Sequence, residues 1–159
     1  RVLFRSARVE VDIETGMVDI VEYLGATDCG TVLNPRSLKA QVLGGSIQGF
    51  GVARSQKWVY DPQWGVPFTK GFHMAKPPTI LDVPLDLDVV AVNEPDPFNP
   101  VGCKGIGEPP MGAGAGAIVS AIEDALGGVG FNRTPITTDM IMAALEDRPQ
   151  PFRGLTAHI

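Results

Sequence analysis

The sequence predicts an α+β domain. Three observations carry this: two adjacent stretches alternate apolar and polar residues, two long segments carry apolar residues at helical spacing, and no strand–helix unit repeats. The first alternating stretch, "ARVEVDIETG", puts Val9, Val11 and Ile13 on one face. "ETG" is a turn signal, and "MVDIVEYLGATD" resumes the alternation, so the pair reads as an antiparallel hairpin. "CGTVLNP" breaks the pattern. Asn34 followed by Pro35 reads as a helix N-cap and first helical residue. The helix is expected from Pro35 to about Lys57, with Leu38, Val42 and Val52 at helical spacing. Its glycines at 44, 45, 49 and 51 each cost about 1 kcal/mol relative to alanine. That cost implies a compensating close approach of another backbone or a ligand.

Further along, "KWVYDPQWG" reads as a strand and turn, and "FTKGFHMAKPPTILDVP" as a Pro-bounded loop. A strand is expected from Leu85 to Val92. "PDPFNPVGCKGIGEPP" is a long loop, and its Phe, Val, Ile and Cys content argues against disorder. A helix is expected from Pro110 to Leu126, striped by Ile118, Ala121, Ile122 and Ala125 and ended by Gly127-Gly128. A last helix follows Thr137 or Thr138. The hairpin and mixed strands therefore pack with about three helices in one domain.

Composition narrows the function. The chain has 159 residues, 44% hydrophobic and 19% charged, which is globular rather than disordered. A net charge of −5 disfavours a nucleic-acid surface. No apolar run approaches the roughly 18 residues that a membrane helix needs. The two cysteines, Cys29 and Cys103, lie far apart and fit a reducing, cytoplasmic compartment. The start, "RVLFRS", matches the translation of a common sequencing adapter. Residues 1–6 are therefore expected to be a scar, with residues 7–146 a fragment that begins mid-protein and 147–159 a flexible tail.

The chemistry concentrates in "VGCKGIGEPPMGAGAGA". Pro109-Pro110 fits a helix start, where a missing N–H costs nothing. Glu108 then lies at the positive end of the helix dipole, which favours its carboxylate form. Small residues around it leave space, so it can serve as a general base. The plainer alternative is an acidic helix cap. "GAGAG" also invites a nucleotide-binding reading. However, no strand directly precedes it and its spacing is not G-x-G-x-x-G.

"GCKGIGEPP" resembles the G-x-K-x-x-G-E-P-P segment near the C-terminus of the large subunit of the molybdenum hydroxylases, the xanthine dehydrogenase and aldehyde oxidase family. The likeness continues upstream. "VEVDIETGMVDIVEYLGATDCGTVLNPRSLKAQVLGGSIQGFG" resembles the family's hairpin, its D-x-G-x-x-x-N-P turn and its glutamine- and glycine-rich helix, and "PPTILDVPLDLDVVAVNEPDP" its P-T-x-x-D-x-P strand. The ordered set covers residues 7 to about 145.

The resemblance implies part of a molybdenum-cofactor-binding domain and an oxidoreductase reaction, the oxidative hydroxylation of an aldehyde, purine, N-heterocycle or related substrate. It implies that Glu108 takes the proton from a Mo–OH group. It places Gln41, Gly44, Gly45, Gln48, Lys104, Gly105 and Gly107 against a molybdopterin, of cytosine dinucleotide form in bacterial-type relatives, and no residue of this chain on the metal itself. Ala40 stands where the family's motif has glycine. Gln41 and Gln48 are two helical turns apart and share a face with the glycines; for Gln48 a solvated helix position stands as the alternative. Lys104 would neutralise anions or order the loop, Cys103 reads as a packing residue, and Met111 is expected to face substrate. [2Fe–2S] clusters and FAD are implied on other domains or subunits, and the rest of the molybdenum subunit as a partner. This chain alone is therefore expected to be inactive. Two other readings are a non-catalytic homologue or assembly domain of the same fold, and a small nucleotide-binding module.

Overall fold

The computed structural model describes residues 3–150. Strands β1 (Leu3–Val11) and β2 (Val18–Asp28) form the expected antiparallel hairpin. Asp12 makes the turn, its Oδ1 accepting from the amides of Glu14 at 2.8 Å and Thr15 at 3.3 Å. The register shifts between Arg8 and Val9, leaving Val21 opposite no residue. This bulge changes which phase of the alternation is buried, from Val18 and Ile20 to Tyr23 and Thr27. Residues 3–6, read as a scar, continue the ladder against Leu24–Thr27.

Helix α1 (Pro35–Arg54) starts as expected. Asn34 accepts from the Ser37 amide at 3.0 Å, and Pro35 occupies the first turn. After it the chain returns as β3 (Asp86–Val92), which pairs parallel with β2. A parallel neighbour needs such a crossover, and α1 supplies it. The sheet order is β1-β2-β3.

The strand expected in "KWVYDPQWG" does not form. Only an isolated bridge joins Tyr60 to Pro67 across a turn held by Asp61, whose Oδ1 accepts from the amides of Gln63 and Trp64. Pro62 and Pro67 lack the N–H groups that a ladder requires. The Pro-bounded loop contains one helical turn, α2 (Phe72–Ala75), and a 3₁₀ turn (Ile80–Asp82) closed by a Thr79/Asp82 capping box.

Helix α3 (Pro109–Ala125) and the short α4 (Thr138–Leu145), with Thr137 at its N-cap, complete the α+β architecture. The core joins one sheet face to the helices through Tyr23, Phe50, Ile118, Ile122, Ile136 and Ile141. Tyr23 and Phe50 meet edge to face at 4.8 Å.

The glycines of α1 divide by role. A Cβ on Gly45 would meet Pro110 of α3 at 2.6 Å, and one on Gly49 would meet backbone atoms of Met111 and Ala115 at 2.8 Å. Gly51 packs on Pro78 in the same way. A Cβ on Gly44 would meet nothing within 4 Å. Close crossing of α1 and α3 thus accounts for Gly45 and Gly49, and not for Gly44. Of the tail expected at 147–159, residues 151–159 lie outside the described residues. Residues 147–150 are tied back, with the Arg148 amide donating to the Ala143 carbonyl at 2.8 Å.

Candidate functional site

The site grows from the end of β2. Asp28, 7% exposed, closes that strand. Its Oδ1 accepts from the Gly30 amide at 3.1 Å, and its Oδ2 accepts from Lys104 Nζ at 2.5 Å. The Lys104 ammonium first, and the Gly30 N–H second, hold the Asp28 carboxyl below the usual carboxylate range.

Gly30 has φ +65°, and a Cβ there would overlap the Gly102 carbonyl oxygen. This close approach lets the D-x-G-x-x-x-N-P turn clasp the loop before α3. The Thr31 amide donates to Gly102 O at 2.8 Å and the Lys104 amide to Cys29 O at 2.7 Å, around a Gly30–Cys103 bridge. Asn99 supports the loop from behind, its Nδ2 donating to Cys103 O at 2.8 Å. Burial pushes the Cys29 thiol up, and the Asp28 charge adds to the shift. That thiol is a packing group rather than a nucleophile.

Beyond Lys104 the loop is held a second time. Gln41, on the second turn of α1, donates its Nε2 to Gly107 O at 2.8 Å. Glu108 follows directly as the N-cap residue of α3. Its side chain is exposed and makes no capping hydrogen bond. Between the two segments lies a cavity of about 380 Å³ whose lining includes Thr31, Leu33, Ser37, Gln41, Lys104 and Gly107.

Of the residues singled out in the sequence, Gln41, Lys104 and Gly107 therefore meet at one cavity, with Gly105 and Glu108 on the same loop. Gly44 and Gln48 lie exposed on successive turns of α1, in line with Gln41. Gly45 is turned away into the α3 contact. "GAGAG" falls inside α3 rather than in a strand-to-helix loop, so it lacks the geometry of a dinucleotide fingerprint. Sequence reasoning did not give Asp28, Gly30 or Asn99 a role. The first two stand in the recognised D-x-G-x-x-x-N-P turn, but nothing local linked Asp28 to Lys104. Nothing in the sequence marked Asn99. Among the described residues no group of three or more His, Cys, Asp and Glu side chains could hold a metal ion, and no helix is long and apolar enough to cross a membrane.

Comparison with known proteins gives a consistent result. Residues 4–84 match the molybdopterin cofactor-binding domain family. The chain is 34% identical over 137 residues to the gamma subunit of the 6-hydroxypseudooxynicotine dehydrogenase complex of Paenarthrobacter nicotinovorans, covering 86% of this chain and 17% of that protein. It is 33% identical over 140 residues to an aldehyde oxidoreductase of Megalodesulfovibrio gigas, covering 88% and 15%. The crystal structure of quinoline 2-oxidoreductase from Pseudomonas putida 86 superposes with a TM-score of 0.81 at 34% identity, covering 89% of this chain and 18% of that one. The chain thus spans less than a fifth of the length of these relatives. With a matching domain family, matching fold and an ordered set of shared motifs, the chain belongs to the molybdopterin-binding domain family of the molybdenum hydroxylases.

Proposed function

We propose that this chain is the C-terminal, base-bearing part of a molybdenum hydroxylase catalytic subunit, and that Glu108 is the general base. The observation that carries this is the setting of Glu108. It is an exposed carboxylate with no capping bond, at the N-terminus of α3, on a loop tethered at Lys104 and Gly107.

The residues present fit a pterin cofactor. Gln41 spends one N–H on Gly107, which leaves its amide oxygen to accept from a ring N–H. Gly44 and Gln48 continue the same open face, and a planar ring can approach Gly44 because no side chain stands there. Lys104 is committed to Asp28, so its part is to order the loop. Gly105 and Gly107 leave Ile106 as the one side chain between Lys104 and Glu108. Gly45 acts at one remove, by seating α1 on α3.

When bound, the cofactor supplies an acidic oxygen donor and a two-electron acceptor. Glu108 would hold the proton that this oxygen donor gives up. The substrate belongs to the aldehydes, purines, N-heterocycles or related compounds. The cofactor is of cytosine dinucleotide form, and [2Fe–2S] and FAD groups on partner domains or subunits take the electrons onward. The enzyme works in a reducing cytoplasm, in keeping with two unpaired cysteines.

The test compares the complete subunit, assembled with its partners, with its Glu108→Gln form. Equal molybdenum in both and a fall in turnover of about 10²–10⁴-fold in the variant is the expected result. Unchanged turnover would make Glu108 a helix-start residue only. A complete subunit without molybdenum, from a host that makes the cofactor, would point to the non-catalytic homologue.

A further inference from the structure

We propose that Asp28 is a positioning residue for Glu108, acting through Lys104 and the backbone clasp at Gly30. This deepens the general-base reading and rests on it. Glu108 makes no capping hydrogen bond of its own, so its place is set by the loop that precedes it. That loop is fixed at two points. Gln41 holds Gly107 from α1. Asp28 holds Lys104 from the end of β2, and the Lys104 and Thr31 amides add two backbone bonds to the same clasp.

Asp28 is the only carboxylate paired with Lys104 among the described residues. The ion pair is largely shielded, with the side chains 23% and 10% exposed for Lys104 and Asp28, so it escapes most of the screening that weakens surface pairs. Asp28 also accepts from Gly30, the residue whose backbone touches the loop. One carboxylate therefore sets both halves of the clasp. Replacing it with asparagine frees Lys104 from the ion pair and leaves only a neutral amide oxygen to accept from Gly30. Glu108 then samples positions away from its proton donor, and a displacement of about 1 Å at a catalytic group can cost about 100-fold in rate.

The experiment uses the assembled holoenzyme and four forms: wild type, Asp28→Asn, Lys104→Gln and the double variant. Molybdenum content, KM, kcat and amide exchange are measured on each. We expect unchanged molybdenum and KM, with kcat down about 10- to 100-fold in each single variant. The double variant should be no slower than the slower single one, because the two act as a unit. Exchange at the Lys104 and Thr31 amides should quicken in Asp28→Asn, while Ala53 and Ile118 in the helix core stay protected. Wild-type kcat in Asp28→Asn would overturn the proposal, whether or not the loop exchanges faster. A loss of turnover that merely follows lost molybdenum, or lost protection in the core, would overturn it as well. Glu108→Gln in the same preparation tests the base separately: normal turnover there removes the general-base reading, whereas the exchange data still report on the clasp.

Discussion

Gly30 is the position in the clasp least able to accept a side chain. Its left-handed φ of +65° disfavours any L-residue, and a Cβ would run into the Gly102 carbonyl. Gly30→Ala is expected to cost about 2–4 kcal/mol, combining backbone strain with an overlap that no rotamer relieves. Chemical denaturation of wild type and variant measures it directly. Asp28 gives the same region a pH signature. Its carboxyl is held low by Lys104 and then by Gly30, so the folded state binds that proton less readily than the unfolded state. The stability it contributes is complete above the usual carboxylate range and is lost as pH falls through the depressed value. Wild type should therefore exceed Asp28→Asn in stability at neutral pH, with the two converging in acid. A pair of denaturation series against pH would show whether the gap closes in that direction.

At the scale of elements, α1 contains its own internal control. Gly49→Ala would place a methyl 2.8 Å from backbone atoms of α3 and should destabilise the fold by about 1–3 kcal/mol. Gly44→Ala meets nothing within 4 Å and should stabilise the helix by up to about 1 kcal/mol. If a pterin lies across that open face, the same Gly44 change lowers cofactor content in the assembled subunit while raising thermal stability. Thermal melts together with molybdenum analysis separate the two effects. The sequence announced that these glycines need a reason, because their helix cost is local and countable. It could not say which reason applied to which glycine, since that depends on how α1 is rotated against α3. Asn34-Pro35 and the alternation of the hairpin were likewise legible, because caps and period-two patterns are short-range. Glu108, Gln41 and Lys104 were legible as motif residues. Asp28 as the partner of Lys104 was not, because the two are 76 positions apart and nothing local links them. The strand expected near Val59 failed for a converse reason: an apolar run promised a ladder that Pro62 and Pro67 could not supply.

For the molecule as a whole, the excursion between α1 and β3 is unusually apolar on its outside. Phe72, Ile80, Leu81 and Leu85 are each more than four-fifths exposed, and Trp58, Tyr60, Trp64 and Phe68 are at least half exposed. This much exposed apolar side chain favours self-association. The isolated chain should bind a hydrophobic dye strongly and show a mass that rises with concentration in analytical ultracentrifugation; a strictly monomeric, dye-negative chain would contradict this. The two tethers of the Glu108 loop also have a temporal meaning. They bridge 76 and 66 positions, whereas β1 and β2 meet across a turn of a few residues. Closing long loops costs chain entropy before any contact repays it, so the hairpin is ready early and the Glu108 loop late. As the chain leaves the ribosome, Asp28 and Gln41 must wait for some seventy further residues before their partners emerge. Until then the Glu108 loop has nothing to hold it, and the clasp can close only after about two-thirds of this chain has been synthesised.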